Sequence, residues 1–266
     1  MDRVGVETLR HEADEARARG VDRQPADLMR WALDLLGSRL MMSTAFGKGG
    51  MCLLNMMREI APGLPIYFLD TGFHFAETLQ FVDTLREKWG IQLILKRPRL
   101  FGASFEKAHG AKLYETNPDL CCHLNKVEPF EEILKEYQGW ITAVRRDQGS
   151  TRAQAESIEI LEGGMIKIQP LVHWTRADVE EYIEKHDIPL HPLFSEGYTS
   201  IGCAPCTRPA TDAGDERSGR WVGLAKRECG LHTSWKARKT GAGSTDGAPS
   251  PAKAPAGEDT APAADG

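Results

Sequence analysis

The sequence predicts an α/β fold: a single domain in which a mostly parallel, twisted β-sheet is flanked by helices. Two observations predict it. Short apolar runs alternate with longer amphipathic stretches over most of the chain, which is typical of strand–helix–strand units around a parallel sheet. Polar or glycine-rich loops follow several of the short runs, at 44–50, 70–74 and 145–152. Parallel sheets bind ligands beyond the carboxyl ends of their strands, so we expect these three loops to converge on one crevice.

Each element follows from its local pattern. The short apolar runs predict strands at 39–44, 64–69, 91–95, 140–144 and 166–168. Apolar residues at helical spacing predict helices at 26–36, 51–60, 75–89, 127–137 and 178–186. Thr175 is the predicted N-cap of the last helix, and Asp178 is its acidic partner three residues on. The chain of 266 residues is long enough for one large domain with a substantial core.

The two ends of the chain differ from the body. Residues 1–24 form a polar arm, predicted as either a polar helix or a frayed segment. Residues 240–266 are rich in Ala, Pro, Gly, Ser and Thr and contain no aromatic residue, which predicts a disordered tail.

Composition excludes several classes of function. The net charge of −5 gives no global indication of nucleic-acid binding, so any anion site must be a local cluster of Arg and Lys. No segment approaches the roughly 18 consecutive apolar residues of a membrane helix, and the first 20 residues lack the apolar core of a secretory signal. We therefore expect a cytoplasmic protein without membrane or nucleic-acid partners, whose six cysteines bind metal or catalyse rather than form disulfides.

Four of the cysteines form two pairs. Cys121 and Cys122 are adjacent, and Cys203 and Cys206 form a Cys-x-x-Cys motif. Two thiol pairs indicate a four-thiolate site for zinc or for an iron–sulfur cluster. The adjacent pair favours the cluster, because consecutive thiolates can reach separate iron corners, whereas structural zinc knuckles separate their thiols by two to four residues. The other interpretations are a redox-active pair or a coincidence of sequence.

The motifs around these cysteines resemble a known family. The motifs are Cys-Cys-His-Leu-Asn-Lys at 121–126, Ile-Gly-Cys-Ala-Pro-Cys-Thr-Arg at 201–208, Glu-Arg-Ser-Gly-Arg-Trp at 216–221 and Lys-Arg-Glu-Cys-Gly-Leu-His at 226–232. Leu-Asp-Thr-Gly at 69–72, Arg-Arg-Asp-Gln at 145–148 and Lys-Ile-Gln-Pro-Leu at 167–171 extend the match. Together they resemble the iron–sulfur type of assimilatory adenylyl-sulfate reductase, within the phosphoadenylyl-sulfate and adenylyl-sulfate reductase family. The resemblance covers about residues 26–232.

The resemblance implies a fold, a cofactor and a reaction. The fold would be that of the adenine nucleotide alpha hydrolase-like proteins, with the sulfonucleotide and cluster domain at 25–212 and a mobile C-terminal catalytic segment at 213–239. One [4Fe-4S] cluster per chain would be bound by the two cysteine pairs. Cys229 would attack the sulfur of adenylyl sulfate, AMP would leave, and thioredoxin or a glutathione-type thiol would release sulfite from the resulting S-sulfocysteine. The charges of Lys226, Arg227 and His232 suit this role, since nearby positive charge lowers a thiol pKa.

The resemblance also implies the substrate contacts. Cys229 and His232 would form the catalytic pair. The glycine-rich stretch from Ser43 would bind phosphate. Asp70 and Gly72 follow a strand and would line the adenosine pocket, or Asp70 would only stabilise the turn. Cations would bind the phosphosulfate group, since guanidinium groups contact oxyanions in bidentate fashion and Lys supplies a point charge. The groups assigned in this way are Lys126, Arg208, Arg217, Arg220 and His232. Arg145, Arg146 and Arg152 lie so close together that they indicate a further oxyanion site, unless one or more of them only pairs with acids such as Asp147 and Glu156.

Two alternatives remain open at this point. The first is the same chemistry on 3′-phosphoadenylyl sulfate. Lys48-Gly49-Gly50 stands where relatives often carry an acidic pair, and an added cation suits a 3′-phosphate. The second is a non-catalytic iron–sulfur sensor of nucleotides or redox state, which would need no fifth cysteine. The oligomeric state is also open, and a homo-oligomer is compatible with the sequence.

Overall fold

The computed structural model of the chain describes residues 3–212 and 214–232. Within them, six strands form one sheet in the order β3-β2-β1-β4-β6-β5. The strands are β1 Leu40–Ser43, β2 Ile66–Leu69, β3 Leu93–Lys96, β4 Gly139–Ile141, β5 Ile158–Ile160 and β6 Ile166–Ile168. Neighbouring strands are parallel except β5, which pairs antiparallel with β6 at the edge. The predicted fold class is confirmed.

Helices cover the sheet. Their bounds are α1 Val6–Ala18, α2 Pro25–Leu36, α3 Lys48–Ile60, α4 Ala76–Trp89, α5 Ala103–His109, α6 Leu113–Thr116, α7 Pro118–Cys122, α8 Glu128–Leu134 and α9 Arg176–Lys185. A single π-turn, His123–Val127, joins α7 to α8. Thr175 caps α9 in a capping box with Asp178, as predicted. None of the helices that the structure describes is long and apolar enough to span a membrane.

Both faces of the sheet are buried. Met42 and Phe68 point into the larger core cluster, whereas Met41 and Leu69 point into a second cluster on the other face, beside Trp140. Alternate residues of a strand face opposite sides, so adjacent apolar residues require two covered faces. The short all-apolar strands therefore follow directly from the sequence.

The N-terminal arm is a packed helix. Leu9, Ala13 and Ala16 lie on one face of α1 and are fully buried in the larger core cluster. Arg17 donates a hydrogen bond of 2.6 Å to the carbonyl oxygen of Ile158 in β5. Of the two predicted alternatives, the frayed segment was wrong, because these small apolar residues recur at helical spacing and seal the sheet edge. The predicted tail at 240–266 lies outside the described residues.

The order of the strands fixes where a ligand binds. From β1 the chain moves outward to β2 and β3, and it then returns to place β4 on the other side of β1. Such a switch point opens a crevice between the loops that leave the two neighbouring strands. The crevice is therefore expected after β1 and β4. The predicted strand at 140–144 ends at Ile141, which leaves Thr142, Ala143 and Val144 free to form its wall.

Candidate active site

A cleft with a volume of about 210 Å³ lies at this switch point. The loop after β1 and the start of α3 form one wall, and residues 142–145 after β4 form another. The C-terminal segment closes it with Arg217, Arg220, Cys229 and His232. The catalytic pair predicted from the sequence therefore lies at the sheet's ligand-binding edge.

The start of α3 forms the floor of the cleft. The helix begins at Lys48, three residues earlier than predicted, with Gly47 at its N-cap. A Cβ atom on Gly50 would lie 2.8 Å from Thr44 Oγ1, and one on Gly49 would lie 3.3 Å from Leu171 Cδ1. Both glycines therefore permit a close approach of the helix to its neighbours. N–H groups of a first helical turn have no partner inside the helix and favour an anion.

Lys48 is not a free cation in this cleft. Its ammonium group lies 2.8 Å from the Glu180 carboxylate of α9, which also accepts a hydrogen bond of 3.0 Å from Arg176. The Lys48 ammonium group is thus held by a carboxylate of α9, which it shares with Arg176.

The C-terminal segment is docked on the cysteine turn at 203–206. Trp221 donates its backbone N–H to the Cys206 carbonyl oxygen at 3.1 Å, and Arg208 donates to the Gly219 carbonyl oxygen at 2.8 Å. The Trp221 side chain is buried, and the guanidinium groups of Arg217 and Arg220 lie over its ring. These contacts bring two of the predicted substrate arginines to the cleft.

The cleft arginines differ in how their charge is balanced. Arg145 is 2% exposed and pairs with Asp147 at 2.8 Å and Glu216 at 2.7 Å, so its charge is neutralised within the chain. Arg220 donates hydrogen bonds of 3.3 Å to the Cys206 carbonyl oxygen and Ser200 hydroxyl. These are neutral acceptors, which leave the Arg220 charge available to an anion.

Cys229 lies between two positively charged neighbours and a second thiol. A hydrogen bond with Cys122 lowers the pKa of Cys229, burial opposes this, and the positive charges of Lys126 and Arg220 lower it further. The result is a pKa well below the ordinary thiol value. A thiolate is the nucleophilic form of cysteine, so this environment favours attack.

His232 stacks on Trp140, with ring centroids 5.7 Å apart and an angle of 7° between the rings. Burial, followed by the charges of Arg152 and Lys167, lowers the pKa of His232 well below its ordinary value. The imidazole is therefore neutral near pH 7. Its Nδ1 has no hydrogen-bond partner among the described residues.

The four paired cysteines line one small cavity beside the cleft. Cys121 and Cys122 come from α7, and Cys203 and Cys206 come from the turn that the C-terminal segment covers. Asn125 donates to Cys121 Sγ at 3.7 Å, and the Thr71 hydroxyl lies 3.3 Å from Cys203 Sγ.

This donor set fits an iron–sulfur cluster. Among the residues that the structure describes, no three Cys, His, Asp or Glu side chains converge as a single metal ion requires. Four thiols that line one cavity are the donor set of a four-iron cubane, whose ligands bind separate iron corners. Burial raises the pKa of Cys121 to about 11 and also raises that of Cys206, so both thiols are protonated near neutral pH unless a cationic group stabilises the thiolates.

Three predicted residues lie outside the described walls of the cleft. The Asp70 carboxylate accepts the Gly72 N–H at 3.2 Å and pairs with Arg97 at 2.8 Å, so it acts as a turn residue here. Gly72 has a φ of 76° and faces the Phe101 ring. Arg208 donates to the carbonyl oxygens of Ala204 and Thr207, which stabilises the cysteine turn. The predicted substrate contacts of Asp70, Gly72 and Arg208 remain predictions.

Comparison with known protein families identifies the part of the chain that contains the sheet and the paired cysteines. Residues 39–209, which span the sheet and the paired cysteines, match the phosphoadenosine phosphosulfate reductase domain. The chain belongs to this reductase family.

Curated members of the reductase family cover most of the chain. The adenosine 5′-phosphosulfate reductase of Halalkalibacterium halodurans is 40% identical over 208 residues, which are 77% of this chain and 90% of the relative. Adenosine 5′-phosphosulfate reductase 1 of Bacillus subtilis is 41% identical over 207 residues, which are 77% of this chain and 89% of the relative. The predicted family is confirmed.

Solved structures agree with the fold. The phosphate complex of phosphoadenylyl-sulfate reductase from Candida auris superposes with a TM-score of 0.67 at 31% identity, over 78% of this chain and 99% of that chain. The FMN adenylyltransferase of Candida glabrata superposes with a TM-score of 0.52 at 16% identity, over 85% of this chain and 81% of that chain. The second likeness concerns the fold alone.

Sequence reasoning missed several residues of the site in this reductase. Glu228 lies inside the Glu-Cys-Gly-Leu-His motif, but the motif predicted catalytic roles only for Cys229 and His232. Glu180 and Glu216 balance cleft cations from segments that are distant in sequence, and no local pattern marks them. His74 lines the cleft through a hydrogen bond to the Leu69 carbonyl oxygen, and its place next to the strand-end motif is the signal that could have found it.

Proposed function

We propose that this chain reduces adenylyl sulfate (adenosine 5′-phosphosulfate) to sulfite and AMP, as part of assimilatory sulfate reduction, with Cys229 as the nucleophile. The observation that carries the proposal is the place of Cys229 in one cleft with Lys126, Arg217 and Arg220. A low-pKa thiol facing a cluster of cations suits attack on a dianionic group, because the cations balance the charge that builds up on the leaving oxygen. The names of the curated relatives support the same reaction.

The reaction proceeds in two displacements. The Cys229 thiolate attacks the sulfate sulfur, the bond between that sulfur and the bridging oxygen breaks, and AMP leaves with the bonding electrons. The S-sulfocysteine is then attacked at Sγ by a thiol of the reductant, which expels sulfite and forms a mixed disulfide. A second reductant thiol restores the Cys229 thiol. The two electrons therefore come from a dithiol such as thioredoxin, or from two glutathione-type thiols.

The four paired cysteines would hold one [4Fe-4S] cluster. When bound, such a cluster would join α7 to the cysteine turn and contribute charge beside the cleft; it need not change oxidation state, since thiols supply both electrons. A thiol that ligates iron carries no proton. Cys122 then cannot donate to Cys229, and the charges of Lys126 and Arg220 remain as contributions that lower the Cys229 pKa against the effect of burial.

The pairing of Lys48 with Glu180 favours adenylyl sulfate over its 3′-phosphorylated form. A 3′-phosphate adds two negative charges near neutral pH, and the cation that the sequence offered for it is already paired with Glu180. The sensor alternative lacks a comparable observation, because it gives no role to a nucleophilic Cys229 inside the cleft.

Steady-state kinetics test the proposal. We expect sulfite release from adenylyl sulfate with a thiol reductant, a higher kcat/KM than with the 3′-phosphorylated substrate, and no sulfite release by Cys229→Ser, which should still bind nucleotide. A higher kcat/KM for the phosphorylated substrate would contradict the substrate assignment. Full activity of Cys229→Ser would contradict the mechanism.

A further inference from the structure

The buried carboxylate of Glu228 touches both the anion-binding side of the cleft and the nucleophile. Arg152 donates to it twice, at 2.7 and 3.0 Å, and Arg217 donates to it at 2.7 Å. The backbone N–H of Cys229 donates to the same carboxylate at 2.8 Å. The Glu228 side chain is 4% exposed and lies behind the arginines, outside the described lining of the cleft.

The two arginines present their other sides to the cleft. Both line it, whereas Glu228 lines a separate small cavity that Arg152 and His232 share. Burial, followed by the charge of Arg152, lowers the pKa of Arg217 to about 10, and its Nε has no partner within the described chain. One carboxylate holds the two guanidinium groups close together, so two positive charges face a single negative charge. A further anion bound by these arginines would therefore reduce the repulsion between them.

We propose that Glu228 is a positioning residue that couples anion binding to the placement of Cys229. The carboxylate orients Arg152 and Arg217 toward the phosphosulfate group. It also accepts a hydrogen bond from the Cys229 amide, which fixes the position of the nucleophile relative to these arginines. Coupling of this kind is reciprocal, so docking of the C-terminal segment and binding of the anion strengthen each other. The inference rests on the proposed function, since it assumes that Cys229 attacks a group held by these arginines.

The Glu228→Gln variant of the full-length, cofactor-loaded protein tests the coupling. Glutamine keeps the size of the side chain but removes the charge that holds both arginines. We expect the Kd for AMP to rise at least about tenfold and alkylation of Cys229 by iodoacetamide to accelerate at least about threefold. The rate of alkylation of the buried Cys52, measured by mass spectrometry in the same sample, should not change. This control separates displacement of Cys229 from partial unfolding of the whole domain.

Glu132→Gln is the matched control. Glu132 also holds two cations, Lys96 and Arg99, but it lies away from the cleft. We expect wild-type AMP affinity and wild-type alkylation of Cys229 in this control. A Glu228→Gln variant in which either readout stays at the wild-type value would overturn the coupling.

Hydrogen–deuterium exchange of the wild-type protein decides the matter if the variant does not fold. We expect AMP to slow exchange in the peptide that contains Cys229 as well as at the start of α3. Protection at α3 without protection at Cys229 would overturn the inference. Its failure is distinguishable from failure of the proposed function, because wild-type sulfite release from adenylyl sulfate is measured separately.

Discussion

Arg152 binds Glu228 through two hydrogen bonds, 2.7 Å from Nε to Oε2 and 3.0 Å from Nη2 to Oε1. The pair joins the loop after β4 to the residue that precedes Cys229, and both side chains are at least 90% buried. Removal of one partner from a buried ion pair leaves the other charge without compensation. The pair therefore has a consequence for stability that can be measured apart from activity.

Glu228→Gln should lower the free energy of unfolding at pH 7 by about 3–5 kcal/mol. Burial alone would raise the pKa of Glu228, but Arg152 and Arg217 outweigh burial and hold it well below its ordinary value. A carboxylate with a depressed folded-state pKa stabilises above its unfolded pKa of about 4.3, and this stabilisation is lost as pH falls toward the folded value. Urea unfolding should therefore give a smaller difference between wild type and variant at pH 3 than at pH 7.

The control for this measurement is again Glu132→Gln, whose partners are partly or largely exposed. Its expected loss is below about 1 kcal/mol. A loss for Glu228→Gln no larger than that of the control, or a difference from wild type that does not shrink in acid, would contradict this description of the pair.

The Lys48–Glu180 pair predicts how substrate preference can be shifted. Glu180→Gln frees the Lys48 charge, so the ratio of kcat/KM for 3′-phosphoadenylyl sulfate to that for adenylyl sulfate should rise roughly two- to fivefold, the range expected for one partly exposed pair. Glu184→Gln on the same helix is the control and should leave the ratio unchanged. An unchanged ratio in Glu180→Gln would mean that Lys48 does not face the 3′ position.

Gly202 permits the close approach of Arg220. A Cβ atom at this position would lie 2.7 Å from Arg220 Cζ, well inside van der Waals contact. Gly202→Ala should displace the guanidinium group and lower kcat/KM for adenylyl sulfate roughly 10- to 100-fold. Gly63→Ala, where the added methyl meets no atom within 4 Å, should keep wild-type kinetics. Equal kinetics in the two variants would remove Arg220 from the substrate site.

The cysteine cavity predicts a definite metal content. Anaerobically purified protein should contain about four iron and four sulfide per chain and absorb near about 400 nm. Cys203→Ser should lose most of both, whereas Cys52→Ala, which alters a thiol buried under α9, should keep them. One zinc per chain without sulfide would contradict the cluster assignment.

Sequence alone predicted most of the sheet because β1, β2 and β4 lie in largely apolar runs, which are typical of strands covered on both faces. It missed β5, the three-residue edge strand Ile158–Ile160. It also missed α5, α6 and α7, and it predicted α8 three residues too long at its C-terminal end.

For the site, the motifs identified Cys229, His232 and the paired cysteines, which the structure places in one cleft and the cavity beside it. Charge balance could be predicted only locally, where Asp147 was a candidate partner for the neighbouring arginines and pairs with Arg145. Arg145, Arg152 and Lys48 each have a carboxylate partner from a distant segment, and one sequence does not reveal which cations are paired. Local motifs therefore predicted the candidate catalytic and metal-binding residues, whereas the tertiary fold determines which charges remain available to the substrate.

The role of Cys229 as the nucleophile is tested most directly by mass spectrometry of the protein after mixing with adenylyl sulfate in the absence of any reductant. We expect a sulfite-sized adduct on Cys229, release of one AMP for each adduct, and loss of the adduct when thioredoxin is added. Cys229→Ser should acquire no adduct. AMP release without modification of Cys229, or an adduct on another cysteine, would contradict the assignment of Cys229 as the nucleophile.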